Sequence, residues 1–109
     1  ILETHRFLAQ QPIQGIKLQL LHVLRGTDLD VLYRRRPFHI LAQKEYADLI
    51  IRCIEILPPK MVIHRITGDG PKNILTAPLW SSHKKQVLNT IHHTFKTRAT
   101  WQGRLYTPL

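Results

Sequence analysis

The sequence predicts an α/β fold, a piece of a parallel sheet with covering helices, and three observations lead there. Residues 16–24, IKLQLLHVL, and residues 61–66, MVIHRI, read as strands. The stretch between them carries two helical patterns, and so long a crossover makes the strands parallel and the connection right-handed. The 109 residues are 43% apolar, enough for one core, whereas a complete α/β barrel takes roughly 200 residues or more. Two strands with about four helices make an incomplete sheet, whose exposed edge should seek either a missing half or a second copy of the chain.

Residues 2–11 predict the first helix, with Leu2, Phe7 and Leu8 available for burial and Pro12 as its stop. Gly15 releases the chain into the first strand, where Ile16, Leu18 and Leu20 point one way and Lys17 and Gln19 the other. In the turn Arg25-Gly26-Thr27-Asp28, Thr27 or Asp28 can cap the helix DLDVLYRRR, whose arginine tail suits the negative end of the dipole and lies on a solvated face. Residues 43–57 give the clearest helix, with Tyr46, Leu49, Ile50, Cys53, Ile54 and Leu57 spaced three and four apart, ended by Pro58-Pro59. The second strand closes in Thr67-Gly68-Asp69-Gly70-Pro71, and residues 72–79 form a loop or short extended piece leading to Trp80. Ser81 or Ser82 should cap a last helix of about fifteen residues, buried along Val87, Leu88, Ile91 and Phe95. The tail TWQGRLYTPL follows no regular pattern.

Charge is uneven. Residues 1–59 carry eight Lys and Arg against six acids, while residues 60–109 carry eight more against Asp69 alone, within a net charge of +9. A cationic last third, Lys84 and Lys85 included, suits nucleic acid or another polyanion, an acidic partner, or plain solubility. No run of about 18 apolar residues could span a bilayer, and the start, ILETHRFLAQQ, lacks a secretory leader, so a cytoplasmic setting without membrane contact is expected. The opening residue is Ile1 rather than an initiator Met, which suggests a fragment of something longer. Cys53, the single cysteine, rules out an internal disulfide or a cysteine-ligated cluster built from this chain alone and reads as a small buried hydrophobe.

In parallel sheets ligands gather beyond the carboxyl ends of strands. His64 and Arg65 must project to opposite faces there. Arg65 shares a face with Ile63 and stays charged, so it is the better candidate for an interior, either gripping a carboxylate or phosphate or closing the turn by pairing with Asp69. His22 and His64 lack metal-ligand spacing, and His92 and His93 splay by about 100° on a helix and read as surface residues. Asp69 could serve as a general base, but Gly-Asp-Gly is also ordinary turn chemistry. There is no Walker loop, Gly-x-Ser-x-Gly or carboxylate pair, and no self-sufficient catalytic site or metal site.

Three segments carry a family resemblance: GIKLQLLHVLRGTDL at 15–29, EYADLIIRCIEILPPKMVIHRITGDGP at 45–71, and LTAPLWSSHKKQVLN with WQGRLY beyond it. They strongly resemble the C-terminal part of bacterial YhcC-type (YhcC/YtqA-like) radical S-adenosylmethionine (SAM) proteins, which are distantly similar to the catalytic subunit of Elongator. The resemblance implies an incomplete, partial TIM-type barrel. In the intact Fe-S oxidoreductase, three cysteines near its start bind a [4Fe-4S] cluster that cleaves SAM reductively; those cysteines are absent here. It further implies that residues 16–24 are the last core strand, with His22, Val23, Leu24 and Arg25 near the cofactor. His64, Arg65, Thr67 and Asp69 become candidates for substrate contact. Residues 1–79 would supply the last strand-helix units and a closing strand, with residues 80–109 a helix and tail packed on them. The partner would be the missing N-terminal part of the barrel, and the fragment alone should be inert and hold no cofactor. A rival reading, supported by the basic last third and the tRNA-modifying branch of the superfamily, is an RNA- or polyanion-binding module.

Overall fold

A computed structural model describes residues 1–67 and 72–108. In chain order the elements are α1 (Leu2–Ala9), β1 (Gly15–Lys17), β2 (Val23–Leu24), α2 (Asp28–Arg35), α3 (Gln43–Glu55), β3 (Val62–Arg65), β4 (Leu75–Ala77) and α4 (Lys84–Thr97), with 3-10 turns at Lys72–Ile74 and Leu79–Ser82. β1 and β3 pair in parallel, as the crossover argument requires, through Gly15 with Val62 and Ile16 with Ile63. The α/β class holds, with two more short strands than expected: β2 and β4 form a separate antiparallel pair.

The expected single strand over 16–24 is therefore two strands in two sheets. β3 ends at Arg65, whose carbonyl accepts from the Leu18 amide at 2.7 Å. Beyond that, residues 19–22 face no partner strand among the described residues, and the apolar alternation itself fails at Leu20-Leu21. The chain regains a ladder at Val23 because residues 75–77 come alongside.

Helix ends show how local chemistry sets the boundaries. The Thr27 hydroxyl caps α2, accepting from the Asp30 amide at 3.2 Å. Burial pushes the Asp30 carboxyl up, but the Gly26 amide, Thr76 and Arg34 together hold it below the usual range. At α3, Ala42 has no side chain to cap with, and Glu45 instead reaches back to accept from the Ala42 amide at 2.9 Å. Ser81 and Ser82 do not cap α4: their hydroxyls donate backward to the carbonyls of Pro78 and Leu79, which leaves His83 as an N-cap without a side-chain bond.

Two buried clusters, the smaller made by Ala9, Leu57 and Met61, meet at Ile16 and Ile63. Ile50, Ile51 and Ile54 of α3 meet Val87 and Ile91 of α4 over Leu18, with Ile16, Ile63 and Ile66 against them. Ile51, Leu57 and Ile91 are fully buried, each worth about 1.5–3 kcal/mol of transfer free energy. Polar pins fix α3 to its neighbours: Gln43 donates to the Thr90 hydroxyl at 3.2 Å, and the Trp80 indole donates to the Leu41 carbonyl at 2.9 Å while its ring lies 5.6 Å from that of Tyr46. α1 departs from expectation, because His5 and Ala9 form its buried stripe and Phe7 is 66% exposed. Phe7 lies two residues from each of them, which on a helix is the opposite side.

Candidate functional site

The sequence-derived candidates fall into two groups, which the fold keeps apart. His22, Val23, Leu24 and Arg25 surround β2. Val23 is fully buried, His22 and Leu24 are half-buried and Arg25 is exposed. One edge of this segment is committed to β4: Val23 is opposite Ala77, the Arg25 amide donates to the Ile74 carbonyl at 2.6 Å, and the Arg25 guanidinium donates to the Asn73 carbonyl at 3.2 Å. None of the four lines the clefts of about 500 and 640 Å³ that the described residues form elsewhere.

His64, Arg65 and Thr67 border one cleft from the end of β3, although the His64 ring itself lies over Gly15. That cleft, of about 640 Å³, lies between β3 and α4 and is lined also by Lys84, His92 and Trp101. Asp69, the fourth candidate of this group, lies outside the described residues. Tyr46 holds the end of β3 in place, donating its hydroxyl to the Ile66 carbonyl at 2.6 Å. Burial, then the nearby Cys53, pushes the Tyr46 phenol up to about 12, so it remains a donor throughout the physiological range.

The two faces of β3 differ from what residue chemistry suggested. Ile63 packs on the helical core, so Arg65, which shares its side, stands on the covered face, half-buried. Val62 and His64 occupy the open face. The preference for Arg65 as the interior residue assumed that Ile63 faced inward, whereas α3 and α4 lie on that side. His64 reaches across β1, and a β-carbon at Gly15 would fall 2.5 Å from its Nε2. Gly15 is thus needed for close approach, not for backbone angles.

The tail, which sequence patterning left unplaced, builds the mouth of the cleft. The Gln102 amide donates to the carbonyls of Pro58 and Met61 at 2.8 and 2.7 Å, closing the α3–β3 connection. Gly103, at φ +86°, lies against the Pro59 ring, and its amide donates to the Ile54 carbonyl at 3.2 Å. Arg104 binds the Glu55 carboxylate at 2.8 Å, and Thr100 donates to the same oxygen. Burial alone would raise the Glu55 carboxyl; the hydrogen bonds from Thr100 and Arg104 outweigh it and hold the group below its ordinary range. Between these anchors Trp101 stands 60% exposed at the cleft. The available signal was the pairing of Pro58-Pro59 with a distant Gly103, which only three-dimensional contact makes readable. His92, expected on the surface, is exposed and lines the same cleft.

A second cleft, of about 500 Å³, is apolar and lies between α1, β1 and α3, with Ile1, Leu8, Leu20, Leu49 and Cys53 on its walls. His5 borders it, its Nδ1 bonded to the Ile1 carbonyl at 2.8 Å and its buried Nε2 without a hydrogen-bond partner. Cys53 is 1% exposed, and burial pushes its thiol up to about 11. No three metal-ligating side chains gather among the described residues, and no described helix is long and apolar enough to cross a membrane.

Comparison with known proteins gives one family, the Radical_SAM C-terminal domain, matching residues 13–97. YtqA of Bacillus subtilis is 39% identical over 106 residues, which are 97% of this chain and 33% of that protein. A protein of Methanocaldococcus jannaschii is 29% identical over 104 residues, 94% of this chain and 32% of its own. YhcC of Escherichia coli is 25% identical over 83 residues, 76% and 27% respectively. The chain spans about a third of the length of the curated relatives it matches.

Proposed function

Because the chain belongs to the Radical_SAM C-terminal domain family, of the YhcC type, we propose that it is the C-terminal wall of a radical SAM Fe-S oxidoreductase, acting only together with the cluster-bearing remainder of such a protein. A [4Fe-4S] cluster needs several thiolates. Cys53 cannot meet that need, being single, buried and held protonated by its surroundings. No step of radical chemistry is therefore assigned to residues of this chain. When bound in the intact enzyme, the cluster would supply the electron that cleaves SAM.

What the chain contributes is surface and enclosure. β1 pairs with β3 alone among the described residues, so its other edge offers backbone groups to a further strand. The open face of that sheet carries Val62 and His64, and Ile1 and Leu21, which border the 500 Å³ cleft, are 72% and 59% exposed. These exposed apolar side chains, with the 500 Å³ cleft and its unsatisfied His5 Nε2, suit the missing part of a barrel. With the sheet continued in this way, His64 rather than Arg65 would face the enclosed space. A primary carbon radical abstracts hydrogen indiscriminately, so such a wall matters by excluding water and side reactions. His22 to Arg25 can offer SAM the edge of β2 that β4 does not use.

The observation that carries this reading is the half-finished parallel sheet with an apolar uncovered face. Its test is assembly in trans: the upstream portion of the protein, expressed separately, should co-elute with this chain, and Val62→Asp together with Leu21→Asp should abolish co-elution. Co-elution that withstands both substitutions, or no association at all with a folded upstream portion, would contradict the docking face.

A further inference from the structure

Resting on the assembly just proposed, we infer that the cleft between α1, β1 and α3 receives an aromatic side chain of the cluster-bearing portion, a tyrosine or tryptophan whose tip donates a hydrogen bond to His5 Nε2. The place of the cleft in the sheet selects the source of its occupant. Ile16, Leu18 and Leu20 line it and also pack on the helical core, and β1 pairs with β3 alone among the described residues. A strand joining the free edge of β1 would send alternate side chains to the same face as Ile16 and Leu18, about 5 Å along the sheet. Those side chains enter the space between α1 and α3.

The walls select the chemistry of that occupant. About 500 Å³ is bordered by Leu8, Leu20, Leu49, Ile50 and Cys53, so an apolar group of some size belongs there. His5 adds one polar requirement. It is 9% exposed, and its Nδ1 lies 2.8 Å from the Ile1 carbonyl, which can only accept, so Nδ1 carries the ring hydrogen. Nε2 of the neutral ring is then a bare acceptor, shut off from water and without a hydrogen-bond partner. Buried polar groups are seldom left so.

Ile1 borders the same cleft and is 72% exposed, so its side chain can turn aside for a group that fills the space and brings a donor to the ring. Leucine or phenylalanine would fill the cleft and leave Nε2 unpaired. Serine or threonine would pair it and leave the apolar walls uncovered. Tyrosine and tryptophan do both, since each carries a large apolar body with an O–H or N–H at its tip.

The experiment is an NMR titration of the chain with p-cresol and indole, mimics of the two side chains, and with p-xylene, in which a methyl group replaces the p-cresol hydroxyl. Binding by all three is expected, with the His5 Nε2 signal moved by a donor-bearing probe and not by p-xylene. Leu49→Trp, which fills the cleft, should abolish binding. His5→Phe keeps a ring and removes the acceptor, and the Ile1 carbonyl still accepts from the backbone amide of that residue at 3.1 Å, so the helix start survives. This variant should weaken p-cresol or indole roughly fivefold, the worth of one ordinary hydrogen bond, and change p-xylene less than about twofold. The mimic that loses more identifies the side chain. In the protein of full family length the cleft is filled, and none of the probes should bind there. Failure of both mimics to bind the chain, binding indifferent to Leu49→Trp, equal effects of His5→Phe on the mimics and p-xylene, or undiminished probe binding in the longer protein would each overturn the inference. An upstream portion that co-elutes with the chain while this pattern fails leaves the proposed role standing, whereas absence of co-elution contradicts the role itself.

Discussion

Replacing Gly103 by Ala tests whether the tail is built into the fold or merely lies on it. At φ +86° a β-carbon meets the left-handed penalty, about 1–2 kcal/mol. It would also stand 2.4 Å from the Pro59 Cγ and 3.0 Å from the Pro59 backbone nitrogen. Proline's ring cannot rotate away, so overpacking adds about 1–3 kcal/mol. The sum, about 2–5 kcal/mol, is a large fraction of the ~5–15 kcal/mol of a typical domain, and at ~4–8 °C per kcal/mol it lowers Tm by about 10 °C or more. Gly26 is the matched control: its φ is +84°, but nothing lies within 4 Å of where a β-carbon would stand. Gly26→Ala should therefore show the backbone penalty alone. Thermal unfolding followed by circular dichroism on both variants isolates the steric part, and equal losses would refute the claim that Gly103 is packed against Pro59.

Further predictions concern titration, thiol chemistry and close approach. Glu55 has its folded pKa depressed, so its contribution should be fully present above its unfolded value near 4.5 and lost as pH falls through the lower folded value; Glu55→Gln should remove that acid dependence and cost ~1.5–3 kcal/mol at neutral pH, read by urea unfolding at several pH values. Cys53 should resist alkylation by iodoacetamide at pH 8 in the folded chain and react on denaturation, whereas rapid native labelling would contradict its burial. Gly15→Ala should displace the His64 ring and cost about 1 kcal/mol, a loss that shrinks in a His64→Ala background; independent, additive effects would show that the two do not touch.

Much of the fold was legible because it is governed by periodicity. The apolar spacing of α3 from Tyr46 to Ile54 and of α4 at Val87 and Ile91 marks the core, and the long crossover dictates the parallel pairing of β1 with β3. What escaped depends on partners distant in sequence. Residues 16–24 look like one strand because nothing local says that β3 stops at Arg65 and that β4 waits for Val23. Ser81 and Ser82 are good caps by type, yet a 3-10 turn gave their hydroxyls nearer carbonyls. At the cleft, three of the candidates lie together at one strand end, but Lys84, His92 and Trp101 border it from α4 and the tail. The choice between His64 and Arg65 turned on which face the helices cover, a property of packing and not of either side chain.

The role proposed for this chain is to enclose a radical reaction rather than to start one. Anaerobic reconstitution with iron and sulfide, followed by dithionite and SAM, tests it most directly when this chain and the protein of full family length are run side by side. The account predicts about four irons per molecule and production of 5′-deoxyadenosine from the longer protein, with neither from this chain. A stoichiometric cluster with SAM cleavage on this chain alone would contradict it.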